Sequence, residues 1–228
     1  MKNFPIPVKA VVIDLDGTLL NTAPDLAEAA QRMLRDLGMP PVSLEKIRSY
    51  IGNGIANLVK RALTGEMHGK LDNALFAKAL PMFEKHYDEV LTRETQPYPR
   101  VMEGLKVLRD AGHTLVCITN KAQRFTLPLL AAMGMKDDFD LILSGDSLPR
   151  KKPDPLPLRY AAIYYEVEPR DLLLVGDSLN DSQAARAAGC PVVLVPYGYN
   201  GGKDVREQDC DAVIDSLPEV LKLIKKAD

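Results

Sequence analysis

The chain has 228 residues, of which 46% are apolar, 29 are basic and 31 are acidic, enough for a sizeable core in one large domain or in a core with a smaller companion. The near balance of charge excludes broad attraction to nucleic acid or a membrane surface and leaves a small molecule as the expected partner. No run approaches the ~20 apolar residues of a membrane-spanning helix, and Cys117, Cys190 and Cys210 lack C-x-x-C spacing and are odd in number, so the expectation is a cytoplasmic protein without a disulfide framework, monomer or homodimer.

Met1 to Lys9 carry two prolines and no apolar segment of signal-peptide length. Ala10 to Ile13 then read as a buried strand, followed at its carboxyl end by Asp14-Leu15-Asp16-Gly17-Thr18. From Thr22 to Glu94 the pattern is helical. Thr22, Pro24 and Asp25 predict a helix start, and Leu26, Ala30, Met33, Leu34 and Leu37 share one face before Gly38. Further helices are predicted over Leu44 to Ile51, Ile55 to Leu63 and Leu71 to Leu91, the last interrupted by Pro81.

Beyond Pro97, helices and strands alternate. Helices are predicted over Gly104 to Ala111, Ala122 to Met133 with a late start or kink at Pro128, Pro155 to Tyr165, and Asp181 to Ala188. Strands are predicted over Thr114 to Ile118, Phe139 to Leu143, Leu172 to Val175 and Val192 to Val195, with short elements near Ala212 to Ile214 and Leu217 to Lys225. Strands separated by helices of this length predict an α/β fold with a doubly wound parallel, Rossmann-like sheet. The sequence therefore divides into a discontinuous core, residues 1–20 and 96–228, and a helical cap inserted after the first strand, residues 21–95. The crossings near Leu20 to Thr22 and Arg93 to Tyr98 are candidate hinges.

Four predicted strand ends carry polar groups, and open α/β sheets bind their ligands at such ends. Asp14 and Asp16 repel each other and lose hydration there, a costly arrangement unless a cation is present. Bare D-x-D-G is also compatible with an ordinary acidic turn. Thr119-Asn120 supply a hydroxyl and an amide suited to phosphate oxygens, or a helix cap. Lys152 precedes Pro153, which disfavours helical geometry and aims the ammonium away from the following helix. Gly176-Asp177-Ser178-Leu179-Asn180-Asp181 again places acids after an apolar strand. The turn Gly52-Asn53-Gly54 can present amides to an anion or simply join two helices, and Arg61 can grip a carboxylate or lie at the surface. His68, His86 and His113 form no ligand pattern.

Together the four segments resemble the motifs of the haloacid dehalogenase superfamily, in order and over essentially the whole chain: D-x-D-x-T at Asp14, Asp16 and Thr18, a hydroxyl at Thr119, a lysine at Lys152, and G-D-x-x-x-D at Asp177 and Asp181. The resemblance implies a Mg²⁺-dependent phosphomonoesterase in which Asp14 is the nucleophile and forms an aspartyl phosphate. Asp14 is expected to be ionised at neutral pH from its ordinary carboxylate value near 3.9. Asp16 then acts as acid and afterwards as base. Leu15, Asp16, Thr119, Asn120 and Lys152 would bind phosphate, and Mg²⁺ would take Asp14, the carbonyl of Asp16, Asp177 and, directly or through water, Asp181. With Asp14, Asp16 and Asp177 set against Mg²⁺ and Lys152 the charges balance, and Asp181 leaves one negative charge over.

Gly52-Asn53-Gly54, Arg61-Ala62-Leu63, Thr119-Asn120-Lys121 and Tyr197-Gly198-Tyr199-Asn200 are similar to segments of bacterial phosphoglycolate phosphatases. That likeness implies hydrolysis of 2-phosphoglycolate to glycolate and makes Asn53 and Arg61 candidate substrate contacts. A sugar phosphatase, phosphomutase, nucleotidase or pyrophosphatase shares all four motifs. A haloalkanoate dehalogenase does not, since those relatives lack the second aspartate. An aspartate-phosphorylated receiver-like module also clusters acids, a hydroxyl and a lysine, but is a single compact domain without a helical insert.

Overall fold

Strands composed of Val, Leu and Ile without a polar face are stable only when covered on both sides, and such strands form the centre of this protein. The computed structural model describes residues 4–201 and 204–227. In chain order, β1 (Ile6–Val8) and β2 (Ala10–Ile13) lead through β3 (Leu20–Asn21) into helices α1 (Ala23–Asp36), α2 (Leu44–Tyr50), α3 (Ile55–Thr64) and α4 (Asn73–Val90), and then β4 (Gln96–Pro97). There follow α5 (Val101–Asp110), β5 (Thr114–Ile118), α6 (Gln123–Ala132), β6 (Leu141–Leu143), α7 (Leu156–Tyr164), β7 (Leu172–Gly176), α8 (Leu179–Ala188), β8 (Val192–Leu194), β9 (Ala212–Val213) and β10 (Ile224–Lys226).

Six strands form one sheet in the order β6-β5-β2-β7-β8-β9, parallel throughout. The first of these strands in the chain, β2, therefore lies inside the sheet, with β5 on one side and β7 on the other. This is the reversal point at which doubly wound sheets open a crevice. Ile13 pairs with Cys117 and with Val175, so the three strands end nearly level. Alternate residues enter two separate cores. Val11, Ile13, Leu115, Cys117, Leu173 and Val175 pack with α5, α6 and the inserted helices. Ala10, Val12, Val116, Ile118, Leu172 and Leu174 pack with α7 and α8.

The insert leaves and rejoins the core through one antiparallel ribbon, with Leu20 opposite Pro97 and Asn21 opposite Gln96. Thr22 precedes α1, but its side chain makes no cap; its hydroxyl donates to Asp16 Oδ1 at 2.7 Å. Asp25 is likewise diverted from capping. Buried in the first turn of α1, its carboxylate accepts from the backbone N–H of Glu94 (2.9 Å), the N–H of Thr95 (2.9 Å) and the Thr95 hydroxyl (2.7 Å). One aspartate thus ties both crossings together. Asp25→Ala is expected to cost about 3 kcal/mol of unfolding free energy in urea, because these donors lose their acceptor where water is scarce. A loss below about 1 kcal/mol would show that other groups hold the ribbon.

Other sequence expectations are corrected by packing. Pro81 and Pro128 lie inside unbroken helices, since burial of Ala79, Phe83, Tyr87 and Val90 along one face of α4 outweighs the missing hydrogen bond. Helix α5 starts at Val101 rather than Gly104, and α8 at Leu179 rather than Asp181. Near the carboxyl end, a 3₁₀ helix over Leu217–Lys222 precedes β10, which pairs in parallel with β1. No helix of the described residues is long and apolar enough to cross a membrane.

Candidate active site

Asp14 extends the ladder of β2, its N–H donating to the Val175 carbonyl at 3.0 Å, and then the chain turns. The Leu15 carbonyl accepts from the N–H groups of Thr18, Leu19 and Leu20. Gly17 has φ +91, and a Cβ there would collide with Asp177, so the turn requires glycine on both counts. The result aims the two acids apart. Asp14 Oδ1 lies 2.7 Å from Lys152 Nζ, whereas the Asp16 carboxylate accepts from Thr22 and, at 3.0 Å, from Lys121 Nζ.

The other strand ends meet the same turn. Thr119, after β5, donates its N–H to the Leu143 carbonyl, and its hydroxyl oxygen accepts from the Lys121 N–H at 3.2 Å. Asn120 donates to the Lys152 carbonyl at 2.8 Å, which holds the lysine loop against β5. Lys152 is 2% exposed, and its ammonium donates to the Ile118 carbonyl, Asp181 Oδ1 and Asp14 Oδ1, each at 2.7 Å. Those contacts use all three of its donors.

After β7, Asp177 accepts from the Thr18 hydroxyl at 3.3 Å and from the Tyr199 N–H. Asp181 reaches back to the N–H and hydroxyl of Ser178. Tyr197 completes the support, its hydroxyl donating to the Thr18 carbonyl at 3.1 Å.

Carboxylate oxygens of Asp14, Asp177 and Asp181 lie within 4.8 Å of one another, and all three residues are buried. Burial pushes the Asp14 carboxyl up to about 7, an effect that Lys152 opposes and Asp181 reinforces. Burial likewise raises Asp177 well above the ordinary range, with Asp181 and Asp14 adding to it. Burial opposes the charge of Lys152, but Asp14 and Asp181 hold its affinity for the proton above the ordinary value. Among these side chains alone, three acids share one lysine, and desolvation resists the last charges. Three hard oxygen donors short of positive charge suit a small divalent cation.

A cleft open to solvent brings together Asp14, Asp16, Thr119, Asn120, Lys152, Asp177 and Asp181 from the core with Asn53 from the insert. Leu26, Ile51 and Leu58 supply an apolar wall. Gly52, Asn53 and Gly54 all have positive φ, a succession that glycine and asparagine adopt most readily. Leu15 is fully buried beneath the acidic turn and is not among the lining residues. Arg61 is also absent from the lining. Its Nη1 donates to the carbonyls of Tyr50 (2.6 Å) and Gly52 (3.4 Å), so it braces the Gly52-Asn53-Gly54 turn from behind.

Two participants, Lys121 and Tyr87, have no role assigned from the sequence. Lys121 has a side chain only 1% exposed, and it joins Asp16 of the core to the Tyr87 hydroxyl of α4 at 2.6 Å. A lysine between a strand and a helix reads as a surface residue, and the turn that carries it inward, closed by its N–H on the Thr119 hydroxyl, forms only in the folded chain. Its charge balances the negative charge that Asp181 leaves over.

Residues 11–195 match the family model described as haloacid dehalogenase-like hydrolase. A phosphoglycolate phosphatase of Thiobacillus denitrificans is 59% identical over 227 residues, covering 100% of both chains. One of Nitrosospira multiformis is 58% identical over 225 residues, covering 99% of each. The crystal structure of a predicted phosphoglycolate phosphatase from Haemophilus somnus 129PT superposes with a TM-score of 0.89 at 36% identity, covering 94% of this chain and 97% of that one.

Proposed function

The chain belongs to the haloacid dehalogenase-like hydrolases, and on that premise we propose that it hydrolyses 2-phosphoglycolate to glycolate and phosphate through an aspartyl phosphate on Asp14, with Mg²⁺ as cofactor. The observation that carries the reading is the division of labour between two aspartates on one turn. Asp14 is buried against Lys152 and two further acids, while Asp16 is turned toward Thr22 and Lys121. The substrate comes from the full-length similarity to the phosphoglycolate phosphatases of Thiobacillus denitrificans and Nitrosospira multiformis.

Lys152 fixes Asp14 Oδ1, which leaves the second carboxylate oxygen for attack on phosphorus. Asp16 protonates the departing glycolate oxygen and then takes a proton from the water that cleaves the acyl phosphate. Within the described residues the Thr119 hydroxyl has no acceptor for its proton, so it is placed to donate to a phosphate oxygen. Mg²⁺ would be held by Asp14, Asp177 and the carbonyl of Asp16, with Asp181 beside them, and would supply positive charge to the phosphate and the carboxylates. Helices α1 to α4 serve as a cap whose Asn53 turn closes the cavity over the reacting groups.

The electrostatics give a metal test with a definite sign. An acid whose folded pKa is raised from 3.8 to about 7 contributes stability that is complete below the lower value and lost as pH rises through the higher one. Asp177 is shifted in the same direction. Mg²⁺ is therefore expected to raise the melting temperature more near pH 8 than near pH 5. With the ion at about 100 times its Kd, the stabilisation is about 2.7 kcal/mol, or roughly 5–10 °C for a chain of this size. An equal shift at both pH values would sink this account of the acidic cluster.

The activity itself is tested by phosphate release from a panel of small phosphomonoesters, with and without Mg²⁺. Absence of Mg²⁺-dependent turnover of every ester rejects the enzyme reading. Preference for a nucleotide or hexose phosphate over 2-phosphoglycolate rejects only the substrate.

A further inference from the structure

Two cationic side chains line the cavity among the described residues, Lys152 and Lys121. The donors of Lys152 are all committed to Ile118, Asp14 and Asp181. Lys121 Nζ stands 3.0 Å from Asp16 Oδ1 and 2.6 Å from the Tyr87 hydroxyl, and those two contacts leave a third donor with only a longer, 3.3 Å approach to the same Asp16 carboxylate. A desolvated lysine held on one side by the insert is a strong point of attachment for an anion.

Covalent geometry then places the ligand. An ester oxygen protonated by Asp16 must come within about 3 Å of that carboxylate. In the phosphate ester of a 2-hydroxy acid, one carbon separates the ester oxygen from the carboxylate, so the carboxylate oxygens lie only about 3 Å from the ester oxygen. They fall within reach of the cation that touches Asp16. The facing wall of the insert offers Leu26, Ile51 and Leu58, and the Nη1 of Arg61 is engaged with the backbone behind the Asn53 turn.

We infer that Lys121, positioned by Tyr87, determines specificity by binding a carboxylate on the carbon that bears the ester oxygen, so that the favoured substrates are phosphate esters of 2-hydroxy acids. This inference rests on the proposed hydrolysis at Asp14 and Asp16 and names the group that chooses the ester. It moves recognition of the carboxylate from Asn53 and Arg61 to the core.

The test compares kcat/KM for 2-phosphoglycolate with that for 2-hydroxyethyl phosphate, which carries an alcohol in place of the carboxylate, in the presence of Mg²⁺. Lys121→Met disturbs Asp16 for both esters, so the ratio is the informative quantity. It is expected to fall by about 10- to 100-fold, the worth of one charge-assisted hydrogen bond, mainly through KM for 2-phosphoglycolate. Lys121→Arg should keep part of the preference. An equal loss for the two esters in Lys121→Met overturns the inference and leaves Lys121 as a support for Asp16 alone. Should Lys121→Met not fold, the wild-type ratio decides: a preference below about threefold is too small for such a bond and overturns the inference. If 2-phosphoglycolate is not hydrolysed while another phosphoester is, the substrate reading fails; if it is hydrolysed and its advantage survives Lys121→Met, only this inference fails.

Discussion

Asp14→Asn is expected to lower Mg²⁺-dependent phosphate release by on the order of 10⁴-fold or more, the scale on which removal of a nucleophile acts. The neutral amide cannot form the acyl phosphate, and the neighbouring groups offer no substitute: Asp177 is held by Thr18 and Tyr199, and Asp181 by Lys152 and Ser178. The same substitution relieves a crowded set of charges. Asp14, Asp177 and Asp181 lie within 4.8 Å of one another, and burial already pushes Asp14 up to about 7. Metal-free Asp14→Asn should therefore melt no lower than wild type near pH 8, while Mg²⁺ should stabilise it less. Phosphate release paired with melting curves checks both statements. Turnover within about tenfold of wild type would remove Asp14 from the nucleophile's role, because a lost nucleophile costs far more.

Asp16→Asn separates chemistry from metal binding. Loss of a general acid and base is expected to cost about 10² to 10⁴ in kcat, yet the stabilisation by Mg²⁺ should persist, since the Asp16 carboxylate is directed to Thr22 and Lys121 and is no member of the acidic cluster. An activated aryl phosphate sharpens the result. Its leaving group departs without a proton, so Asp16→Asn should release about one equivalent of phenolate in a burst and then stall, because the water that cleaves the acyl phosphate still needs a base. A variant that loses its response to Mg²⁺ would show that the Asp16 carboxylate, rather than its carbonyl, serves the metal.

The strand ends were legible because of where the strands lie. Parallel strands buried on both faces need unbroken apolar runs, so the polar residue that follows each run stands out: Asp14 after Ile13, Thr119 after Ile118, Asp177 after Gly176. Lys152 was legible through the proline after it. The two-residue strands β3 and β4 were not, since Leu20-Asn21 and Gln96-Pro97 carry no period and are strands only because they meet each other. Helix interiors at Pro81 and Pro128 misled for the opposite reason, a local penalty overridden by burial.

Thr22 and Asp25 illustrate the limit most directly. Their spacing is that of a helix cap, and locally it should be one. In the folded chain the Thr22 hydroxyl finds Asp16 and the Asp25 carboxylate finds Glu94 and Thr95, partners that are distant in sequence or invisible until the turn forms. Lys121 shows the same limit, its identity plain and its environment supplied by Tyr87 from a helix more than thirty positions earlier.

From the sequence alone came the reaction-bearing residue types, their order along the chain and the alternation that produces a parallel sheet, because these depend on local period and on residue chemistry. Only the tertiary structure decided how the two aspartates of one turn are separated, how many charges share Lys152, and which cation faces the cavity from beside Asp16. Charge balance and hydrogen-bond partnership are sums over neighbours in space, and neighbours in space are what a linear sequence leaves open.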